Sequence, residues 1–159
     1  MVKEQTTIDL NIEKGMWHGQ EIRFAGKSEE RPGHDTGDLI AVIKQEPHQY
    51  FEREGDNIRT AVDLNLKQAL LGFDLNIEHL DKALVNLKHL AQVTQHHQVR
   101  KYKSKGMPKY DKRGRGDRYG DMFIEYRVKM PGVISSSQRD ALISLFPEMS
   151  LEGELPKDM

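Results

Sequence analysis

The sequence predicts a mainly β protein built from two duplicated β-domains, with a short helix in the second domain and another helix near the C-terminus. Three observations carry this expectation. Apolar residues recur at every second position through most of the chain, a glycine-led motif occurs twice, and only two stretches have helical spacing.

Taken in order, Ile8, Leu10 and Ile12 alternate with Asp9 and Asn11, the pattern of a half-buried strand. The run Leu39-Ile40-Ala41-Val42-Ile43 is continuously apolar, so it reads as a strand covered on both faces. Ile58, Thr60, Val62, Leu64 and Leu66 form a longer ladder, with Arg59, Asp63 and Asn65 on the other side. Leu66-Lys67-Gln68-Ala69-Leu70-Leu71 consists of good helix formers, and Gly72 stands where a left-handed cap would close about two turns. Phe73, Leu75 and Ile77 resume the alternation, and Met122, Ile124, Tyr126 and Val128 share one face of a later strand. Ser137 with Asp140 three residues on resembles a capping box, opening a helix whose apolar stripe is Ala141, Leu142, Leu145 and Phe146. Pro147 stops it.

Gly15, Gly19, Gly26, Gly33 and Gly37 bracket short strands, and a second glycine-rich stretch covers Gly106, Gly114, Gly116 and Gly120. Gly37-Asp38-Leu39 is followed by Pro47, and Gly120-Asp121-Met122 by Pro131, at nearly the same distance. In each copy a glycine-rich loop enters an apolar strand that proline ends, which places a junction near residues 47 to 50. The first copy is the shorter, as a domain entered partway through would be.

Composition narrows the functional classes. With 31% charged residues and a formal net charge of −1, the surface as a whole is not built for nucleic acid. No segment approaches the ~18 consecutive apolar residues of a membrane span, so no membrane partner is expected. Met1-Val2-Lys3-Glu4-Gln5 carries no apolar stretch of signal-peptide type. The absence of cysteine excludes disulfides, thiolate metal sites and cysteine nucleophiles within the chain, and says little about redox compartment.

Seven histidines invite a metal reading, yet none is expected. His96 and His97 are adjacent and would point to opposite sides of a strand, while His79 and His89 lack the i, i+4 spacing of a helical pair. There is no G-x-S-x-G elbow, phosphate loop or dinucleotide fingerprint, so the chain is not expected to be an enzyme and needs no cofactor.

Charge is most biased between Arg100 and Arg118, where nine basic residues face two acidic ones, a net of +7 that leaves −8 for the rest. Tyr102, Tyr110 and Tyr119 are interspersed. Stacking rings among cations suit single-stranded nucleic acid, the alternative reading of this chain as a nucleic-acid-binding β-module. The plainer reading is a long solvated loop. The apolar runs at Ile8 to Ile12 and Leu39 to Ile43 read first as core, and on an open edge they would instead form a groove where an extended peptide adds as a strand.

The motifs together resemble a known family. Glu13-Lys14-Gly15-Met16-Trp17-His18-Gly19-Gln20-Glu21-Ile22-Arg23-Phe24-Ala25-Gly26, Gly37-Asp38-Leu39-Ile40, Pro47-His48, Phe51-Glu52-Arg53-Glu54-Gly55-Asp56-Asn57-Ile58, Gly72-Phe73, Lys105-Gly106-Met107-Pro108 and Gly120-Asp121-Met122 look like the C-terminal substrate-binding region of DnaJ-type (J-domain) co-chaperones. The resemblance runs from about residue 6 to residue 146. It implies two consecutive β-sandwich-like domains, the first truncated here, each with a short helix, followed by a dimerisation segment. On this chain that division is 1–47 for the first domain, 48–131 for the second and 132–159 for the dimerising helix and tail. It further implies binding of unfolded polypeptides, delivery to the seventy-kilodalton heat-shock chaperone, and a homodimer. The positions matching the apolar lining of the peptide groove include Ile8 and Ala41, with Leu10 and Ile43 as same-face neighbours, and dimerisation falls to Ala141, Leu142, Leu145 and Phe146. Ala41 is smaller than the bulky residue often found there, which widens the pocket.

The His-Pro-Asp tripeptide of the J domain and the paired-cysteine zinc module are absent from these residues. His96-His97 replaces a common Pro-Gly turn, and Asp81-Lys82 stands where Asp-Gly is usual, so loop conformation is affected more than fold. The expected compartment is the cytosol or the endoplasmic reticulum lumen, with Gly72-Phe73 and His79-Leu80-Asp81 leaning to the latter.

Overall fold

The computed structural model describes residues 7–28, 36–111 and 118–147. It is mainly β, with eight strands and two helices among these residues. Strands β1 (Glu21–Phe24) and β2 (Leu39–Val42) form an antiparallel ribbon. A four-stranded sheet in the order β3-β4-β8-β7 joins β3 (Glu52–Glu54), β4 (Asn57–Asn65), β7 (Gln98–Tyr102) and β8 (Met122–Lys129). The third sheet is the hairpin of β5 (Gly72–Glu78) and β6 (Leu84–Leu90). Helix α1 (Leu66–Leu71) precedes β5, and α2 (Ser136–Leu145) follows β8. The chain divides into two compact units, Met1–Asp63 with Thr94–Arg127, and Leu64–Val93 with Val128–Met159.

In the first unit the core is made by alternation. Ile58 of β4 and Met122, Ile124 and Tyr126 of β8 are buried, whereas Arg59, Ala61 and Arg127 on the opposite faces are exposed. Tyr126 hides its ring and meets the Tyr102 hydroxyl at 2.8 Å, the partner a buried phenol requires. Burial pushes its ionisation far above the ordinary tyrosine range.

The second unit holds Leu64, Ala69, Phe73, Val85 and Leu87 as its buried apolar residues. Asn65 caps α1 in a capping box, accepting from the Gln68 amide at 2.8 Å while Gln68 Oε1 accepts the Asn65 amide at 3.0 Å. Gly72 ends the helix as expected but not in the left-handed helical region: at φ 94° and ψ 172° it passes straight into β5. Its missing side chain leaves room for the backbone of β6, since a Cβ would lie 2.8 Å from the Ala91 nitrogen.

Four sequence expectations are corrected. No ladder to the Ile8–Ile12 run is formed among the described residues, because alternation makes a strand only where a neighbouring edge accepts its hydrogen bonds. The Leu39–Ile43 run is not covered on both faces, since Leu39, Ile40 and Val42 are exposed. His96 and His97 lie in a turn, where the resemblance puts them, and not in the strand that the metal reading supposes, with rings 3.9 Å apart. The cap of α2 is Ser135, two residues before Ser137: Gln138 has the reach to return to the Ser135 amide, at 2.9 Å, and so completes the box that Asp140 was expected to close.

The repeat suspected from the glycine motifs recurs in matching hydrogen bonds. The Gly37 carbonyl accepts from Ser28 at 2.9 Å and Asp38 Oδ1 accepts from Gly26 at 3.1 Å. In the second copy the Gly120 carbonyl accepts from Gly106 at 2.8 Å and Asp121 Oδ1 accepts from Ser104 at 3.0 Å. The turns that launch β1 and β7 match as well. Gln20 donates to the Trp17 carbonyl and Gln98 to the Gln95 carbonyl, both at 3.2 Å, and each glutamine side chain reaches back to the amide three residues before it. Thus Ile22 faces Ala41 in β1–β2 as Arg100 faces Ile124 in β7–β8. The copies differ at one edge: β8 is flanked by β4, and β2 has no second neighbour among the described residues. Gly33, Gly114 and Gly116 lie outside those residues.

Candidate functional site

The β1–β2 ribbon brings together part of the expected groove. Ala41 and Ile43, two residues apart, share a face, and both are half-buried. Ile22 stands directly opposite Ala41, and Phe24 opposite Leu39, so this face also carries two β1 residues that the groove assignment missed. Their signal was present, since Ile22 and Phe24 alternate with Glu21 and Arg23. The other face carries Ile40 and Val42, the latter 60% exposed. Ile8 is half-buried and Leu10 exposed, in a segment that does not join the ribbon as a strand. Past β2 the pairing continues for one more step, with Ile43 donating to Gln20 and accepting from Gly19.

What this arrangement offers chemically is a β edge beside apolar side chains. Backbone groups on the edge of β2 that has no neighbour among the described residues can pair with an added strand, and the flanking apolar residues gain from being covered.

The four-stranded sheet has its own concavity, a cleft of about 570 Å³ on the face opposite the core. Phe51, Val99 and Phe123 line it with Arg59 and Glu125. Arg59 lies 5.9 Å above the Phe123 ring and is held by Glu54 at 2.7 Å. Glu125 receives His97 and Arg127, and these two bonds, His97 first, hold its carboxyl below the usual carboxylate range.

Of the basic stretch, Lys112, Arg113 and Arg115 lie outside the described residues. Among those described, Lys101 pairs with Asp121 at 3.6 Å. Two of the three tyrosines are engaged internally, Tyr102 with Tyr126 and Tyr110 edge-on against Trp17 at 5.6 Å, which leaves Tyr119 as the exposed ring.

In α2, no helical residue is buried. Leu142 is half-buried, and Ala141, Leu145 and Phe146 are exposed, Leu145 at 70%.

Residues 1–131 match the family model described as the DnaJ C terminal domain. The chain belongs to the DnaJ C-terminal domain family. Its relatives include "DnaJ protein ERDJ3B" of Oryza sativa subsp. japonica, 35% identical over 144 residues that make up 91% of this chain and 40% of that protein. "Chaperone protein dnaJ 2" of Arabidopsis thaliana is 32% identical over 93% of this chain and 35% of its own length. "DnaJ homolog subfamily A member 2" of Mus musculus is 31% identical over 82% of this chain and 31% of its own length. This DnaJ C-terminal domain chain therefore spans two fifths or less of the curated relatives it matches.

Proposed function

We propose that this DnaJ C-terminal domain chain is the client-binding part of a co-chaperone. Its β1–β2 ribbon holds extended segments of unfolded polypeptide by strand addition at β2, with Ala41 and Ile43 covered by client side chains and Ile8 and Leu10 contributing from the preceding segment. The full-length protein delivers these clients to the seventy-kilodalton heat-shock chaperone. The role is one of binding and transfer, with no catalytic step. The observation that most supports it is the edge of an apolar strand left open among the described residues, in a chain of this family, where the counterpart strand of the second copy is paired on that side.

Burial contributes about 0.8 kcal/mol for each methylene covered, so a few side chains give only weak binding. A homodimer through Ala141, Leu142, Leu145 and Phe146 presents two such sites, and effective concentration then raises avidity for long clients. The proposed division into 1–47, 48–131 and 132–159 separates client binding, the second domain and dimerisation. The favoured compartment is the endoplasmic reticulum lumen rather than the cytosol, supported by the likeness to the protein named ERDJ3B, and microscopy of the tagged full-length protein tests it.

The functional test is suppression of aggregation of a chemically denatured client. The chain should protect, and the pair Ala41→Asp and Ile43→Asp should protect much less while keeping the same circular dichroism. Equal protection by both would remove the ribbon as the site.

A further inference from the structure

A two-stranded ribbon is marginal on its own in water, and among the described residues β1–β2 has four paired positions, one further step of pairing at Ile43, and one face exposed. Something else must hold it in order. We propose that Arg53 is the positioning residue that lends the β1–β2 ribbon the stability of the four-stranded sheet, and so keeps the client site formed. The functional half of this inference rests on the reading of the ribbon as the client site.

Arg53 pairs with Ile58 in the β3–β4 register, and therefore lies on the core side of that hairpin. From there its guanidinium reaches the backbone on which the ribbon is mounted. Nη1 donates to the Met16 carbonyl at 2.7 Å and Nη2 to the Gly15 carbonyl at 3.0 Å, both partly buried. Nη1 also reaches Gln45 Oε1 at 3.2 Å, just beyond β2, and Nε donates to the Gly55 carbonyl at 2.7 Å, in the β3–β4 turn. One planar group thus ties the chain entering β1, the chain leaving β2 and the turn of the neighbouring sheet. A fork of fixed geometry does this, whereas a lysine ammonium is a single point at the end of a flexible stem.

The gripped turn has little room to re-form elsewhere. Gly15 is buried at φ 90°, and a Cβ there would lie 2.5 Å from the Pro108 carbonyl oxygen and 2.6 Å from the Tyr110 nitrogen. Without the fork, the Gly15 and Met16 carbonyls lose charge-assisted donors in a partly dry site. The ribbon then populates an opened state, and apparent client affinity falls by the fraction of chains in which it remains closed.

Amide hydrogen exchange on the 159-residue chain tests this, comparing the parent with Arg53→Ala and Arg53→Lys, each with and without a heptapeptide of alternating leucine and serine. Both substitutions should speed exchange of the paired ribbon amides by about tenfold or more, while β5–β6 and β8 amides keep their protection. The emission of Trp17, the single tryptophan, should shift with them. Unchanged ribbon protection in Arg53→Ala, full protection in Arg53→Lys, or a loss spread evenly over all three sheets would overturn the assignment. The peptide separates the two ideas. Saturating peptide that restores ribbon protection in Arg53→Ala supports both the clamp and the client site, whereas protection that is lost and not restored supports the clamp and overturns the ribbon as client site.

Discussion

His97 sits in a left-handed turn position, φ 62°, and its amide donates to the Tyr126 carbonyl at 2.8 Å. Gly19, at φ 82°, donates to the Ile43 carbonyl at the same distance in the first copy. Equivalent turns therefore demand a positive φ, and one copy meets the demand with glycine, the other with histidine. Lys82, at φ 64° between β5 and β6, is a second non-glycine residue held this way.

Lys82 is the cleaner test of that strain, because its side chain is exposed. Lys82→Gly should stabilise the chain by about 1 kcal/mol, the cost of a left-handed conformation for a residue with a Cβ. A denaturant midpoint that stays put or falls would show the loop to be unstrained. His97→Gly should give less, because it also removes the bond to Glu125.

Two glycines with similar φ should respond differently to alanine. At Gly19 a Cβ meets nothing within 4 Å, so Gly19→Ala should cost only the backbone strain, about 1 kcal/mol. Gly72→Ala adds overlap with the backbone from His89 to Ala91, and should cost about 3 kcal/mol or more. Equal thermal shifts for the two variants would contradict the close approach of β6 to Gly72.

The Glu125 carboxyl titrates below its ordinary value of 4.5, chiefly because His97 hydrogen-bonds it and secondarily because Arg127 does. A folded-state value below the unfolded one contributes stability that is present above about pH 4.5 and is lost as pH falls through the folded value. Glu125→Gln should therefore destabilise more near neutral pH than near pH 4, where protonation has begun to remove the wild-type advantage. Chemical denaturation at the two pH values checks this, and a penalty that persists in acid would point to packing instead of charge.

Much of the fold was legible because burial and alternation coincide. Ile58, Met122, Ile124 and Tyr126 are buried in a sheet, and Leu66–Leu71 is helical with the bounds its residues suggested. β6 was missed although Val85, Leu87 and His89 alternate with Asn86 and Lys88, because the histidine ring, half-buried against Phe73, does not read as apolar. The Ile8–Ile12 strand was read from alternation alone, which reports amphipathicity and not the presence of a pairing edge. Of the groove, the Ala41 and Ile43 face was legible from spacing. The β1 residues opposite it, Ile22 and Phe24, show their own alternation, but their pairing with Ala41 and Leu39 is a matter of register and cannot be counted along the chain.

The proposed dimer through α2, where Ala141, Leu145 and Phe146 are exposed and Leu142 half-buried, predicts association. Leu142→Asp with Leu145→Asp should convert a dimer to a monomer in sedimentation equilibrium, without loss of the β signal in circular dichroism. A dimer that survives both substitutions would assign the interface elsewhere.

Addition of extended polypeptide to the edge of β2 that is open among the described residues is read most directly by amide chemical-shift mapping with the leucine–serine heptapeptide. Shifts and slowed exchange concentrated on Leu39 to Ile43 are the predicted result. A peptide that binds while leaving those amides unmoved, and perturbs the four-stranded sheet or α2 instead, would contradict it.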